Sequence, residues 1–73
     1  MIDGMLRKRR AGQFRKWYDT LPSAALKSSW KRRIIDGMLI GIQSFYDLLN
    51  GRVFINDDRR YALRQIIGKD IFA

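Results

Sequence analysis

Apolar residues recur with helical spacing along four segments of this chain. The first segment, 13–21, places four large side chains at intervals of three and four residues, on one helical face: Phe14, Trp17, Tyr18 and Leu21. Pro22 cannot continue a helix, and Ser23 is a favourable N-cap for the next one. The pattern therefore predicts a first helix over 13–21 that stops at the proline.

The next two helices are separated by a break of three residues. Over 24–38 an apolar residue recurs every fourth position: Leu26, Trp30, Ile34 and Met38. The shorter segment 42–49 ends at Asn50 and Gly51, a pair typical of the left-handed turn that closes a helix. We therefore predict helices over 24–38 and 42–49, the second with its apolar side facing inward.

A fourth helix is predicted over 57–67, after a loop at 52–56. Asn56 can cap its first turn, and Gly68 ends it. Ile71 and Phe72 are expected either to fold back onto the core or to stay exposed as a contact. Four large aromatic residues are expected in the core: Phe14, Trp17, Trp30 and Phe45. The expected fold is a compact, all-α, four-helix domain.

The first twelve residues show no apolar stripe and contain a run of four cations, Arg7 to Arg10. We interpret 1–12 as a flexible basic N-terminal arm and 13–73 as the folded domain. The pentapeptide Ile-Asp-Gly-Met-Leu occurs twice, at 2–6 and 35–39, and we have no physical account of this repeat.

The net charge indicates the class of partner. Fifteen Lys and Arg against seven acidic residues, all aspartate, give +8 in 73 residues, which suits a polyanion such as DNA. The chain lacks Cys, His and Glu, so we expect no enzyme activity, metal site or cofactor. We expect no signal peptide, and no apolar run reaches the roughly 20 residues that span a membrane. A cytoplasmic protein at the nucleoid, without stable membrane association, is expected.

The second and third helices, with their short connection, have the order of a helix-turn-helix. In that unit the first helix braces against the DNA backbone while the second lies in the major groove. The contact between the two helices needs apolar side chains, and five positions supply them: Ile34, Met38, Ile40, Phe45 and Leu48.

At these residues the chain resembles the lambda-repressor-like (Xre-type) regulators, in their small phage and Bacteroidetes-type form. The stretch 40–51 is similar to the turn, recognition helix and terminal Asn-Gly of that family, and 60–72 is similar to its following helix. Leu39 and Ile35 stand where the family usually has glycine and alanine. The resemblance covers 31–72 and implies a sequence-specific binder of double-stranded DNA that regulates transcription, with a homodimer on a two-fold site as the family expectation.

The resemblance also implies which side chains meet DNA. Base contacts are assigned to the exposed side of the third helix: Ile42, Gln43, Tyr46 and Asn50. Gln43 is the first candidate, because glutamine can pair with adenine through two hydrogen bonds. Phosphate contacts are assigned to nine residues: Arg7, Lys8, Arg9, Arg10, Lys31, Arg32, Arg33, Ser44 and Arg52. Asp47 could instead pair with Arg52.

Two other functions share parts of this pattern. A non-specific nucleoid- or virion-associated DNA-binding protein would carry the same charge without a recognition surface. A membrane-active basic helical peptide would also place tryptophans beside cations. Selection of binding sites from random DNA separates the first alternative from the main hypothesis, and folding in plain buffer separates the second.

Overall fold

The chain forms four helices in the computed structural model, which describes the backbone of residues 3–73 and the side chains from residue 4 onward. These are α1 (Asp3–Asp19), α2 (Ala24–Met38), α3 (Ile42–Leu49) and α4 (Asp57–Ile67), and no strand occurs within the described range. α2 packs against α3 and α4, and α1 packs against α3. The predicted all-α, four-helix fold is confirmed.

One hydrophobic core joins all four helices to the C-terminal end of the chain. Its buried members are Phe14, Ile34, Phe45, Leu48, Leu49, Ile55, Leu63 and Phe72. The Phe14 ring meets Phe45 edge-on with centroids 5.8 Å apart, an arrangement that adds to the energy of burial. Phe72 is 5% exposed, so of the two alternatives predicted for the C-terminal end, the return onto the core is the one observed.

Trp17 and Trp30, also predicted as core residues, are only half-buried. Their rings pack edge-on across α1 and α2, with centroids 5.5 Å apart. The Arg33 guanidinium covers Trp30 at 4.8 Å from the ring centroid. The two tryptophans therefore form a partly exposed contact that holds α1 beside α2.

The predicted flexible arm is wrong for the residues that the structure describes. Residues 3–12 are helical, and α1 continues without a break to Asp19. Arg10 and Ala11 are buried, at 7% exposure each, so the predicted domain boundary at residue 13 is wrong as well. Residues 1 and 2 lie outside the described range.

Arg10 explains why the apolar pattern missed this part of α1. It lies four residues before Phe14 and occupies an inward-facing position where an apolar residue is expected. Its Nη1 donates to the Ile55 carbonyl oxygen at 2.7 Å, its Nη2 donates to Asp57 Oδ1 at 3.0 Å, and its guanidinium lies 5.6 Å from the Phe54 ring centroid. A buried arginine thus replaces the expected hydrophobic residue and fixes the loop before α4 to α1.

The helix boundaries predicted from capping residues are confirmed for α2, α3 and α4. Ser23 Oγ accepts from the Leu26 N–H at 3.1 Å, and Asn56 Oδ1 accepts from the Arg59 N–H at 2.9 Å. Gly51 and Gly68 have φ of 78° and 91°, the left-handed conformation that closes a helix. By contrast, α1 ends at Asp19 rather than at residue 21, because helical backbone is disfavoured before a proline.

An ion pair fixes the C-terminal end against α4. Asp70 Oδ2 accepts from Arg60 Nη2 at 2.7 Å, and Oδ1 accepts from the Phe72 N–H at 3.0 Å. The hydrogen bond from Arg60, and then that from Phe72, lower the pKa of Asp70 below its ordinary 3.8. Because the folded pKa is the lower one, this contact stabilises the fold above that ordinary value and is lost at more acid pH.

Leu39 makes the turn between α2 and α3 in the conformation that usually requires glycine. Its φ and ψ are 56° and 46°, and the Ile40 N–H donates to the Ile35 carbonyl oxygen at 3.1 Å to close α2. A left-handed conformation costs an L-residue roughly 1–2 kcal/mol. The Leu39 side chain is 91% exposed, so burial does not offset this cost.

We therefore expect Leu39→Gly to raise the free energy of unfolding by about 0.5–1 kcal/mol. This value is the relieved strain minus the cost of the additional entropy that glycine gives the unfolded chain. Urea denaturation measures the change. Leu26→Gly is the matched control, since Leu26 is 41% exposed within α2 and glycine there should cost about 1 kcal/mol. Destabilisation by both substitutions would contradict the assignment of strain to Leu39.

Candidate nucleic-acid interface

α3 is held by one side and exposed on the other. Phe45, Leu48 and Leu49 anchor it in the core. The remaining side includes the four predicted base-reading residues and Ser44, and all five are exposed: Ile42, Gln43, Ser44, Tyr46 and Asn50. Ile42 is 56% exposed and Tyr46 is 38% exposed, so this surface combines apolar and polar side chains. The structure thus brings the predicted base-reading residues together on one surface.

A basic groove runs along one flank of α3. It lies between α2 and the first turn of α3, has a volume of about 450 Å³, and is lined by Ser28, Lys31, Arg32, Ile35 and Ile42. Two cations of the predicted phosphate-binding run therefore lie beside the exposed face of α3. The third, Arg33, does not line this groove, because its guanidinium lies over Trp30.

Lys31 connects this flank to the exposed face itself. Its Nζ donates to Tyr46 Oη at 3.2 Å and lies 5.5 Å from the centroid of the Tyr46 ring. Sequence reasoning did not predict this contact, which depends on how α2 crosses α3. It places a positive charge beside the outermost aromatic ring of α3.

A second groove lies between α1 and the end of α3. It has a volume of about 600 Å³ and is lined by Gly4, Arg7, Lys8, Ala11, Gly12, Arg15, Leu49, Asn50 and Gly51. Small residues let the two elements approach closely here: a Cβ added to Gly51 would lie 3.3 Å from Ala11 Cβ. Three cations of α1 thus border the end of α3, whereas the first groove borders its first turn.

The four cations predicted as an arm therefore have different environments. Arg7 and Lys8 line the second groove, where Arg7 Nη1 donates to the Arg52 carbonyl oxygen at 3.3 Å. Arg9 is exposed and lines neither groove. The assignment of Arg10 to phosphate binding is wrong, because its guanidinium is buried and already hydrogen-bonded to Ile55 and Asp57.

Two amide side chains of α3 have intramolecular partners. Gln43 Nε2 donates to Asp47 Oδ1 at 3.1 Å, and Asp47 also lies 3.9 Å from Arg52 Nη1, as anticipated. Asn50 Oδ1 accepts from Arg15 Nη1 at 2.9 Å. The side chains in these contacts are exposed, apart from that of Asp47. Replacing the contacts by contacts with a ligand therefore costs little free energy.

Arg15 is the site residue that the sequence analysis missed. It sits one helical heptad after Lys8 and therefore on the same side of α1. That relationship becomes visible only when residues 3–12 are recognised as helix. Its guanidinium links α1 to the end of α3 through Asn50.

Comparison with known proteins adds no family assignment to this geometry. No protein-family model, no curated protein and no solved structure matches the chain. None of the helices in residues 3–73 combines the length and apolar character needed to cross a membrane. The resemblance to lambda-repressor-like regulators stays a prediction, and the function must be inferred from the exposed face of α3 and its two basic flanks.

Proposed function

We propose that this protein binds double-stranded DNA in a sequence-specific manner by placing α3 in the major groove, and that it acts as a transcriptional regulator. The observation that carries the proposal is the exposed face of α3 between two basic grooves. A major groove is bordered by two phosphate backbones, and a helix lying in it needs cations on both sides. The net charge of +8 supplies the attraction.

Base contacts would come from the N-terminal part of α3. Gln43 must exchange its contact with Asp47 to present both amide groups to adenine, and that exposed contact is weak enough to allow it. Ile42 and Tyr46 offer apolar surface to a thymine methyl group. Ser44, in the first turn of α3, suits a phosphate.

Phosphate contacts would come from Lys31 and Arg32 on one flank and from Arg7, Lys8 and Arg52 near the other. Each contact contributes about 0.9 to the slope of log affinity against log salt concentration, so these five contacts would weaken binding about five-hundredfold between roughly 50 and 200 mM salt. Because one recognition helix covers only a few base pairs, we further propose that two copies bind a two-fold site on the nucleoid.

The specificity prediction contrasts two substitutions. Gln43→Ala should weaken binding to the preferred site by about 1–3 kcal/mol more than binding to random duplex, because only a base contact discriminates between sequences. Arg32→Ala should weaken binding to both DNAs alike, because a phosphate contact carries no sequence information. Fluorescence anisotropy with the two duplexes measures both effects.

Circular dichroism should show both variants folded, because both side chains are exposed. Equal losses on the two DNAs for Gln43→Ala would remove Gln43 from the base-reading residues. If Ile42→Ala and Tyr46→Ala also lost affinity equally on both, the non-specific DNA-binding alternative would replace the proposal. The membrane-active alternative is less well supported, because both tryptophans are engaged in packing α1 against α2.

A further inference from the structure

We propose that the groove between α1 and α3 holds one sugar–phosphate strand of the bound duplex, and that Arg15 and Asn50 together bind a phosphate there. This inference rests on the proposed DNA binding and changes the role of Asn50 from a base contact to a backbone contact. It also adds Arg15, which the sequence analysis did not assign to any site.

The charges around the groove favour an anionic occupant. Arg7, Lys8 and Arg15 line it, and among the side chains that the structure describes, from residue 4 onward, no acidic one does. Arg7 has a backbone carbonyl oxygen as its partner, and the contact of Arg15 with Asp19, at 3.7 Å, joins two half-exposed side chains. An exposed pair of this kind contributes little energy, so the Arg15 charge remains available to a phosphate.

The groove surface suits a sugar–phosphate strand rather than an isolated ion. Between its cations the groove is lined by Ala11, Gly12, Leu49 and Gly51, which present carbon atoms and leave room for a close approach. A deoxyribose can lie on such a surface while its phosphate meets the basic side chains. The groove also ends beside α3, where the backbone bordering a major groove must pass if α3 lies in it.

The partner and the position of Asn50 favour a contact with the DNA backbone. While its carbonyl oxygen accepts from Arg15, Asn50 offers its amide N–H groups to a ligand. Those donors match a phosphate oxygen, whereas reading adenine requires the carbonyl oxygen as well. Asn50 also follows the last turn of α3, away from the N-terminal residues that reach base edges in this mode of binding.

Two double variants of α1 test the groove with equal changes of charge. Lys8→Gln with Arg15→Gln removes two cations that line it. Arg9→Gln with Lys16→Gln removes one arginine and one lysine at the same seven-residue spacing, from exposed positions that line neither groove. Binding to a random-sequence duplex is measured across a salt series for wild type and both variants.

The proposal predicts that the affinity of the groove variant falls by at least about tenfold. The slope of its log affinity against log salt concentration should decrease by about 1.8, because two phosphate contacts are lost. The control variant should stay within about threefold of wild type and keep its slope. Equal losses in both variants would overturn the groove assignment and leave DNA binding intact. Absence of duplex binding by the wild type would instead overturn the proposed function, and the groove assignment with it.

Asn50→Asp examines the phosphate contact directly. Aspartate keeps the acceptor for Arg15 but places a negative charge in the groove, so affinity should fall by about tenfold or more on preferred and random duplex alike. Asn56→Asp is the control, because it adds the same charge at a position where aspartate caps α4 equally well. A loss for Asn50→Asp that is confined to the preferred site would return Asn50 to base reading and contradict the proposal.

Discussion

Replacing Arg10 by alanine is expected to lower the free energy of unfolding by about 2–3 kcal/mol. The substitution leaves the Ile55 carbonyl oxygen buried without its 2.7 Å donor and removes the bond to Asp57. It also empties the space beside Phe54. Since a domain of this size has a total stability of about 4–11 kcal/mol, the melting temperature should fall by roughly 10–20 °C. Thermal and urea denaturation followed by circular dichroism measure both quantities.

Arg9→Ala is the matched control for this experiment. Arg9 is the adjacent residue of α1, carries the same charge and is exposed, so its replacement should change stability by less than about 0.5 kcal/mol. Similar small effects of the two substitutions would mean that residues 3–12 do not form part of the folded domain. The flexible N-terminal arm that the sequence predicts would then be correct.

Phe45→Ala is expected to have the largest effect on stability, a loss of about 3–5 kcal/mol. Phe45 is fully buried, and its ring meets Phe14 and Tyr18 edge-on at centroid distances of 5.8 and 5.6 Å. It is the aromatic anchor of α3, so its loss should also disorder the exposed face of α3 that is proposed to bind DNA. Denaturation with urea provides the measurement.

The neighbouring aromatic residue provides the control. Tyr46 is 38% exposed and packs on the core only through the edge-on contact of its ring with Phe45, at a centroid distance of 5.3 Å. Tyr46→Ala should therefore cost about 1–2 kcal/mol, less than Phe45→Ala, while it weakens DNA binding. If the two substitutions destabilised the fold equally, the inward and outward sides of α3 would be misassigned.

Three of the four helices could be predicted because their apolar spacing and their capping residues favour the structure that their packing also requires. Apolar spacing located the buried sides of α2, α3 and α4, and side-chain caps at Ser23 and Asn56 fixed two of their starts. In these elements the local preference and the tertiary packing require the same structure.

The first half of α1 could not be predicted, because tertiary contacts rather than periodicity stabilise it. An arginine occupies the inward position at residue 10, and its hydrogen-bond acceptors lie more than forty residues away in the chain. Ile55 was missed for a related reason, since a single fully buried residue in a loop leaves no periodic signal.

The candidate site was predictable to the same extent as the helices that form it. The exposed residues of α3 follow directly from its inward-facing ones, which is why Gln43 and Tyr46 could be named in advance. The second groove depends on α1 lying beside the end of α3. Until that packing was known, Arg15 was simply one more cation in a basic chain.

Selection of binding sites from random duplex DNA tests the central proposal, that α3 reads sequence between two phosphate-binding flanks. The account predicts enrichment of a defined short site, with affinity for that site at least about a thousandfold above that for random duplex at physiological salt. Gln43→Ala should alter the enriched sequence, and Lys8→Gln with Arg15→Gln should leave it unchanged. The account would be contradicted if the folded wild-type protein bound duplex DNA tightly but no sequence were enriched. That result would show that the chain binds duplex DNA by charge alone.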